Sequence, residues 1–171
     1  MTDQLFTPTS AEELCEIVNQ ARGQARPLNV NGGGTKFGWG HAQSEFDKVD
    51  TRKLAGVHLY EPAELVLTAK SGTPLSDVQT LLEDHNQHLS FEPPDFRQLF
   101  DTGHLEQTLG GILACNLSGS RRIQAGAARD HFLGFEAVSG RGEIFKSGGR
   151  VVKNVTGFDL SKLMAGSFGT L

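Results

Sequence analysis

The run Asn31-Gly32-Gly33-Gly34-Thr35, followed at once by Lys36, has the residue types to hold an anion. Three consecutive positions without a Cβ let successive backbone N–H groups turn toward one point, a concavity that suits a group such as a diphosphate. Taken alone, the triplet fits a solvent turn equally well. It has neither the GxxxxGK spacing of a phosphate loop nor the GxGxxG spacing of a dinucleotide fingerprint. A second constellation is Thr108 with Gly110 and Gly111, then Asn116, Ser118, Gly119 and Arg121. Its glycines admit a close ligand, its amide and hydroxyl groups suit polar edges, and a guanidinium can balance phosphate charge. The plain alternative is a helix start and a turn with solvated arginines. A third stretch, Lys153-Asn154 to Asp159 and then Gly166 to Leu171, also reads as a packing helix and a glycine turn. The histidines (His41, His58, His85, His88, His104 and His131) fall in no metal or triad pattern, and His85 and His88 read as surface residues near a helix end.

These groups sit in a chain of 171 residues and 18.5 kDa, enough for one ordinary domain or two small subdomains sharing a ligand. Glycine supplies 21 residues, about 12%, well above the usual ~7%. The glycines cluster between patterned apolar segments, so they mark turns and ligand loops rather than disorder. Cys15 and Cys115 stand a hundred residues apart, which argues against a zinc knuckle, a thiol redox motif or a disulfide framework. No apolar run approaches a membrane span and no leader pattern opens the chain, so a soluble, cytoplasmic protein without direct membrane insertion is expected, any membrane association being made through partners. Through Gly110 there are 8 basic and 16 acidic residues, a net −8; beyond it 8 basic and 4 acidic residues give +4. The second part suits an anionic ligand or an acidic partner, whereas the acidic whole and the lack of a long basic run argue against nucleic acid.

The elements that must position these groups follow from periodicity. Ser10 and Glu13 form an S-x-x-E capping box, and Leu14, Ile17, Val18 and Ala21 give a helix one buried face before Gly23 ends it. Residues 27–31 read as a strand feeding the glycine loop, and 46–50 and 65–69 as further strands. Residues 54–60 fit a strand or a connector. Thr73 and Pro74 announce a helix with Thr73 as N-cap, its stripe being Leu75, Val78, Leu81 and Leu82, ending near His85. Phe91 to Gln107 has no assignable element. A short helix is expected over 110–115, a hairpin over 132–138 and 143–146, and a short helix over 159–164 opened by Asp159. The pattern is α+β rather than a doubly wound sheet.

The order of the motifs NGGGTKFG, EPAELVLTAKSGTPL, FEPPD, TLGGILACNLSG, ARDHFLGFEAVSGRGEIFKSGG and KNVTGFDLSKLMAGSFGTL resembles the FAD-binding domain of the vanillyl-alcohol oxidase and p-cresol methylhydroxylase superfamily. Within it the chain is most similar to the branch of FAD-linked lactate and glycolate dehydrogenases, the FAD-binding E-type subunits of bacterial glycolate oxidase above all. The resemblance covers almost the whole chain. It implies a two-part α+β fold, divided at 1–72 and 73–171, with FAD between the parts and a C-terminal substrate or cap domain lacking. Asn31 to Lys36 would wrap the diphosphate through backbone amides. Pro94, Thr108, Gly110, Gly111, Asn116, Ser118 and Gly119 would line the rest of the nucleotide, Arg121 would balance its charge, and Gly169, Thr170 and Leu171 would begin the stretch past the adenosine. Many members carry a histidine that bonds covalently to the flavin where this chain has Thr35, so FAD is expected to be non-covalent. The resemblance further implies oxidation of a small 2-hydroxy acid, glycolate to glyoxylate, with electrons going to a second FAD subunit and an iron-sulfur subunit rather than to NAD. A non-catalytic flavin-fold assembly module and a lactate or sugar-acid oxidase relative are the rival expectations, and no residue stands out as the catalytic base.

Overall fold

The computed structural model describes residues 3–36, 38–39, 46–150 and 157–171. Strand β1 (Leu5–Phe6) leads into helix α1 (Ala11–Gly23). Ser10 Oγ accepts from the Glu13 amide at 3.2 Å, as a capping box requires. The Glu13 carboxylate closes one residue earlier than expected, accepting from Thr9 N at 2.7 Å and Thr9 Oγ1 at 3.0 Å. Ala21 is buried and Leu14, Ile17 and Val18 are half-buried, so the apolar stripe faces inward. Past Gly23 the left-handed turn falls on Ala25, at φ 52°, rather than on the glycine.

Strands β2 (Leu28–Asn31) and β3 (Asp47–Asp50) join β1 in a parallel sheet of order β1-β3-β2. Val49 at its centre is wholly buried. The buried Asp47 accepts from Gln4 N and an Arg26 guanidinium nitrogen, both at 3.0 Å, and so fastens β1 and the segment after α1 to β3. Strands β4 (Val57–Glu61) and β5 (Val66–Ala69) pair antiparallel, which settles residues 54–60 mainly as strand.

Helix α2 (Leu75–Glu83) departs from expectation at its start: Pro74, not Thr73, occupies the N-cap and makes no side-chain cap bond. The reason is packing. Thr73 is 1% exposed, and its hydroxyl donates to Lys70 O at 2.7 Å while accepting from Gly56 N at 3.0 Å, so it closes the preceding loop instead. After the turn-rich stretch 91–107 come helices α3 (Leu109–Ala114), α4 (Arg122–Ala125) and α5 (Ala128–His131), the antiparallel hairpin β6 (Gly134–Val138) and β7 (Ile144–Gly148), and helix α6 (Leu160–Met164). Asp159 precedes α6 but makes no cap bond; its carboxylate lies 3.5 Å from Lys162 Nζ. The small parallel sheet, two antiparallel pairs and short helices are the α+β arrangement expected. The hairpin turn returns to the first helix, where Asn19 Nδ2 donates to Gly142 O at 3.4 Å and Arg22 to Arg141 O at 3.0 Å.

The core gathers Leu75, Phe91, Ile112, Leu117 and Ala128, with Trp39, Leu89, Phe96, Leu113 and Cys115 packed against it. It joins α2, α3 and α5 to the residues that follow the glycine loop. Among the described residues no helix is long and apolar enough to cross a membrane.

Candidate functional site

Parallel pairing carries β2 to Asn31, whose carbonyl accepts from Thr51 Oγ1 at 2.9 Å, and delivers the three glycines beyond the sheet. Facing them is the segment 106–109, bound antiparallel to the entrance of α2 through Leu75 N to Gln107 O (2.8 Å) and Leu109 N to Thr73 O (2.9 Å). The loop and this wall touch. A Cβ on Gly32 would come within 2.1 Å of Thr108 Oγ1, and one on Gly33 within 1.5 Å of Glu106 O, so only glycine permits the approach. Thr108 caps α3, its Oγ1 accepting from Gly111 N at 3.3 Å.

The two glycine clusters use their amides differently. Gly110 N donates to Ser71 O at 2.7 Å, Gly111 N to Thr108 Oγ1, and Gly119 N to Phe91 O at 2.8 Å. The amides of Gly32, Gly33, Gly34 and Thr35 donate to no described residue. Three of these residues are half-buried and Thr35 is buried, so N–H groups with no described acceptor here have the chemistry to receive an anion.

Lys36 lies across the same cleft, its Nζ donating to Thr35 Oγ1 at 3.0 Å and to Gln107 Oε1 at 3.2 Å. Burial pushes its ammonium below the usual lysine pKa, with Cys115 and Asp95 acting the other way. Gln107 is 5% exposed and donates onward to Pro94 O at 3.2 Å, so Pro94 stands behind the wall. A cavity of about 190 Å³ opens between Gly33, Arg52, Pro74, His104 and Thr108, and a second of about 150 Å³ between Ser76, Asp95, Arg97 and Glu106. Both are below the ~300–1,000 Å³ that encloses a drug-sized ligand.

A family model described as an FAD binding domain matches residues 2–148. The chain belongs to this FAD binding domain family. It is 40% identical over 161 residues to the glycolate oxidase subunit GlcE of Escherichia coli K12, covering 94% of this chain and 44% of that protein. It is 31% identical over 165 residues to the D-lactate dehydrogenase of Archaeoglobus fulgidus, covering 96% of the chain and 35% of the relative. The chain thus spans less than half the length of both relatives. An alkyldihydroxyacetonephosphate synthase structure superposes with a TM-score of 0.72 at 21% identity, over 96% of this chain and 29% of that one, which shows the shared fold.

For an FAD binding domain, the loop passes the test of fit: its amides lack described acceptors, and its missing side chains leave bare backbone against the wall. The other expected residues are placed less directly. Asn116, at φ 50°, accepts from Arg129 N through Oδ1 at 3.0 Å, and Ser118 Oγ accepts from Ala128 N at 2.9 Å, so both hold the first amides of α5. Arg121 is engaged by both carboxylate oxygens of Glu92 at 2.6–3.0 Å, which holds that carboxyl below its usual pKa. Gly169, Thr170 and Leu171 follow Phe168, whose amide donates to Ala114 O at 2.9 Å; a Cβ on Gly169 would lie 4.0 Å from Val30 Cβ. The final residues therefore run between α3 and the end of β2, beside the loop. Lys153 and Asn154 lie outside the described residues.

Two features escaped the sequence. Gln107 carries the contact across the cleft, and Trp39 gathers Phe96, Phe100 and Phe168 at centroid distances of 5.6, 6.1 and 6.4 Å. The available signal was compositional: aromatic residues in turn-rich segments must find cover outside any regular element.

Proposed function

We propose that this chain forms the flavin-holding part of a 2-hydroxy-acid dehydrogenase of the glycolate oxidase type, which converts glycolate to glyoxylate and passes electrons to partner subunits, one flavin-bearing and one iron-sulfur. The observation that carries the reading is the row of amides at Gly32 to Thr35 with no described acceptor, set against the 106–109 wall in a chain that aligns along almost its whole length with GlcE. Bound flavin would supply the acceptor for hydride leaving the α-carbon of the substrate. The residues of this chain bind and orient. The loop amides take the diphosphate, and the Thr108 cap fixes α3 beside them. The division at residues 72 and 73 places the loop in one part and its facing wall in the other.

Thr35 is 4% exposed and its hydroxyl already accepts from Lys36, so it offers no nucleophile to the flavin and the FAD is held non-covalently. Acid precipitation is expected to release all flavin to the supernatant; flavin retained by the pellet would contradict this. Purified chain should bind FAD and gain roughly 2.7 kcal/mol of stability at a hundredfold excess over Kd, read as a rise in Tm. A colourless chain that FAD leaves unstabilised would defeat the reading and make the protein a non-catalytic assembly module. Bleaching of the bound flavin by anaerobic glycolate, in the complex with its partners, tests the substrate.

A further inference from the structure

We propose that Lys36 is the cation that pairs with the diphosphate of the flavin nucleotide, held ready by Thr35 and Gln107. The inference deepens the flavin-binding reading and rests on it. An ammonium has three N–H donors. Two of those on Lys36 meet neutral acceptors, Thr35 Oγ1 at 3.0 Å and Gln107 Oε1 at 3.2 Å, and the third has no described partner.

Among the described residues, the arginines that line the two cavities are already paired, Arg52 with Asp50 at 2.6 Å and Arg97 with Asp95 at 2.7 Å, as is Arg121 with Glu92 at 2.6 Å. Among the described residues no carboxylate lies within ion-pair distance of Lys36, although its surroundings are buried enough to disfavour its charge. An uncompensated, half-buried ammonium is costly, and an arriving anion removes that cost. The position also suits the ligand. Lys36 follows directly on the amide-bearing loop, and across from it a Cβ on Gly111 would lie 3.9 Å from Nζ, so the ammonium overlooks backbone bare of side chain. Arg121, the cation the sequence favours, would first have to leave a bidentate carboxylate.

The test is calorimetric titration of the full chain and its K36Q and K36R variants with inorganic pyrophosphate, FAD and riboflavin. A charge-assisted hydrogen bond corresponds to a loss of about 10- to 100-fold, expected for pyrophosphate and FAD with K36Q, while riboflavin, which has no phosphate, changes by less than about twofold. K36R keeps the charge and is expected to retain most of the pyrophosphate affinity, and it decides the matter should K36Q melt early. Unchanged FAD binding by K36Q would overturn the proposal, as would an equal loss for riboflavin, which would mark a purely structural tie to Gln107, or loss of pyrophosphate binding in a folded K36R. Wild-type chain that binds pyrophosphate in a Lys36-dependent manner but no flavin would keep the anion site and defeat the flavin reading instead.

Discussion

At Gly33 the chain has no room for a side chain, because a Cβ would overlap the carbonyl oxygen of Glu106. G33A is therefore expected to force the loop from the 106–109 wall at a cost of about 1–3 kcal/mol, and to weaken FAD binding more than its loss of Tm explains. Thermal melts with and without FAD check both parts. The triplet stood out in the sequence as a candidate anion loop, matched by a solvent turn when taken alone, but its contact with the wall was not legible, since nothing in NGGGT names a partner some 75 residues on. Arg121 shows the same limit from the other side. Its charge was visible, while the carboxylate that occupies it belongs to Glu92, 29 residues earlier and brought near by the fold.

Elements with strong periodicity were read closely: α1, the strands flanking the loop, the hairpin and α3 all stand within a few residues of their expected bounds. Phe91 to Gln107 stayed unreadable because its order comes from single side chains. Arg97 binds Asp95 and reaches Leu105 O at 3.1 Å, a clasp that leaves no periodic trace. Helix α3 is the joint between site and core. Ile112 on it is wholly buried, and I112A is expected to cost about 2–5 kcal/mol, lowering Tm and releasing the Thr108 cap from the loop. At α1, S10A removes the hydroxyl that accepts the Glu13 amide and is expected to cost about 1 kcal/mol, measured by denaturant titration with unchanged slope.

The whole molecule shows how acidic and basic groups share one structure. Asp47 is held below its usual pKa first by hydrogen bonding from Arg26 and then by the Gln4 amide. A carboxyl depressed in the folded state adds stability that is fully present above its unfolded pKa, about 3.9, and disappears as pH falls through the folded value. Tm should accordingly fall as pH is lowered below about 4, and D47N should flatten that limb while lowering the plateau at neutral pH.

The contacts of Asn19 and Arg22 with the hairpin turn span 123 and 119 residues. During synthesis the first helix leaves the ribosome well before Arg141 and Gly142 are translated, so the nascent α1 must wait without these contacts until the hairpin has been made. A codon-level slowdown before residue 139 is therefore expected to lengthen the interval in which α1 lacks these contacts, read as increased protease cutting of the nascent helix.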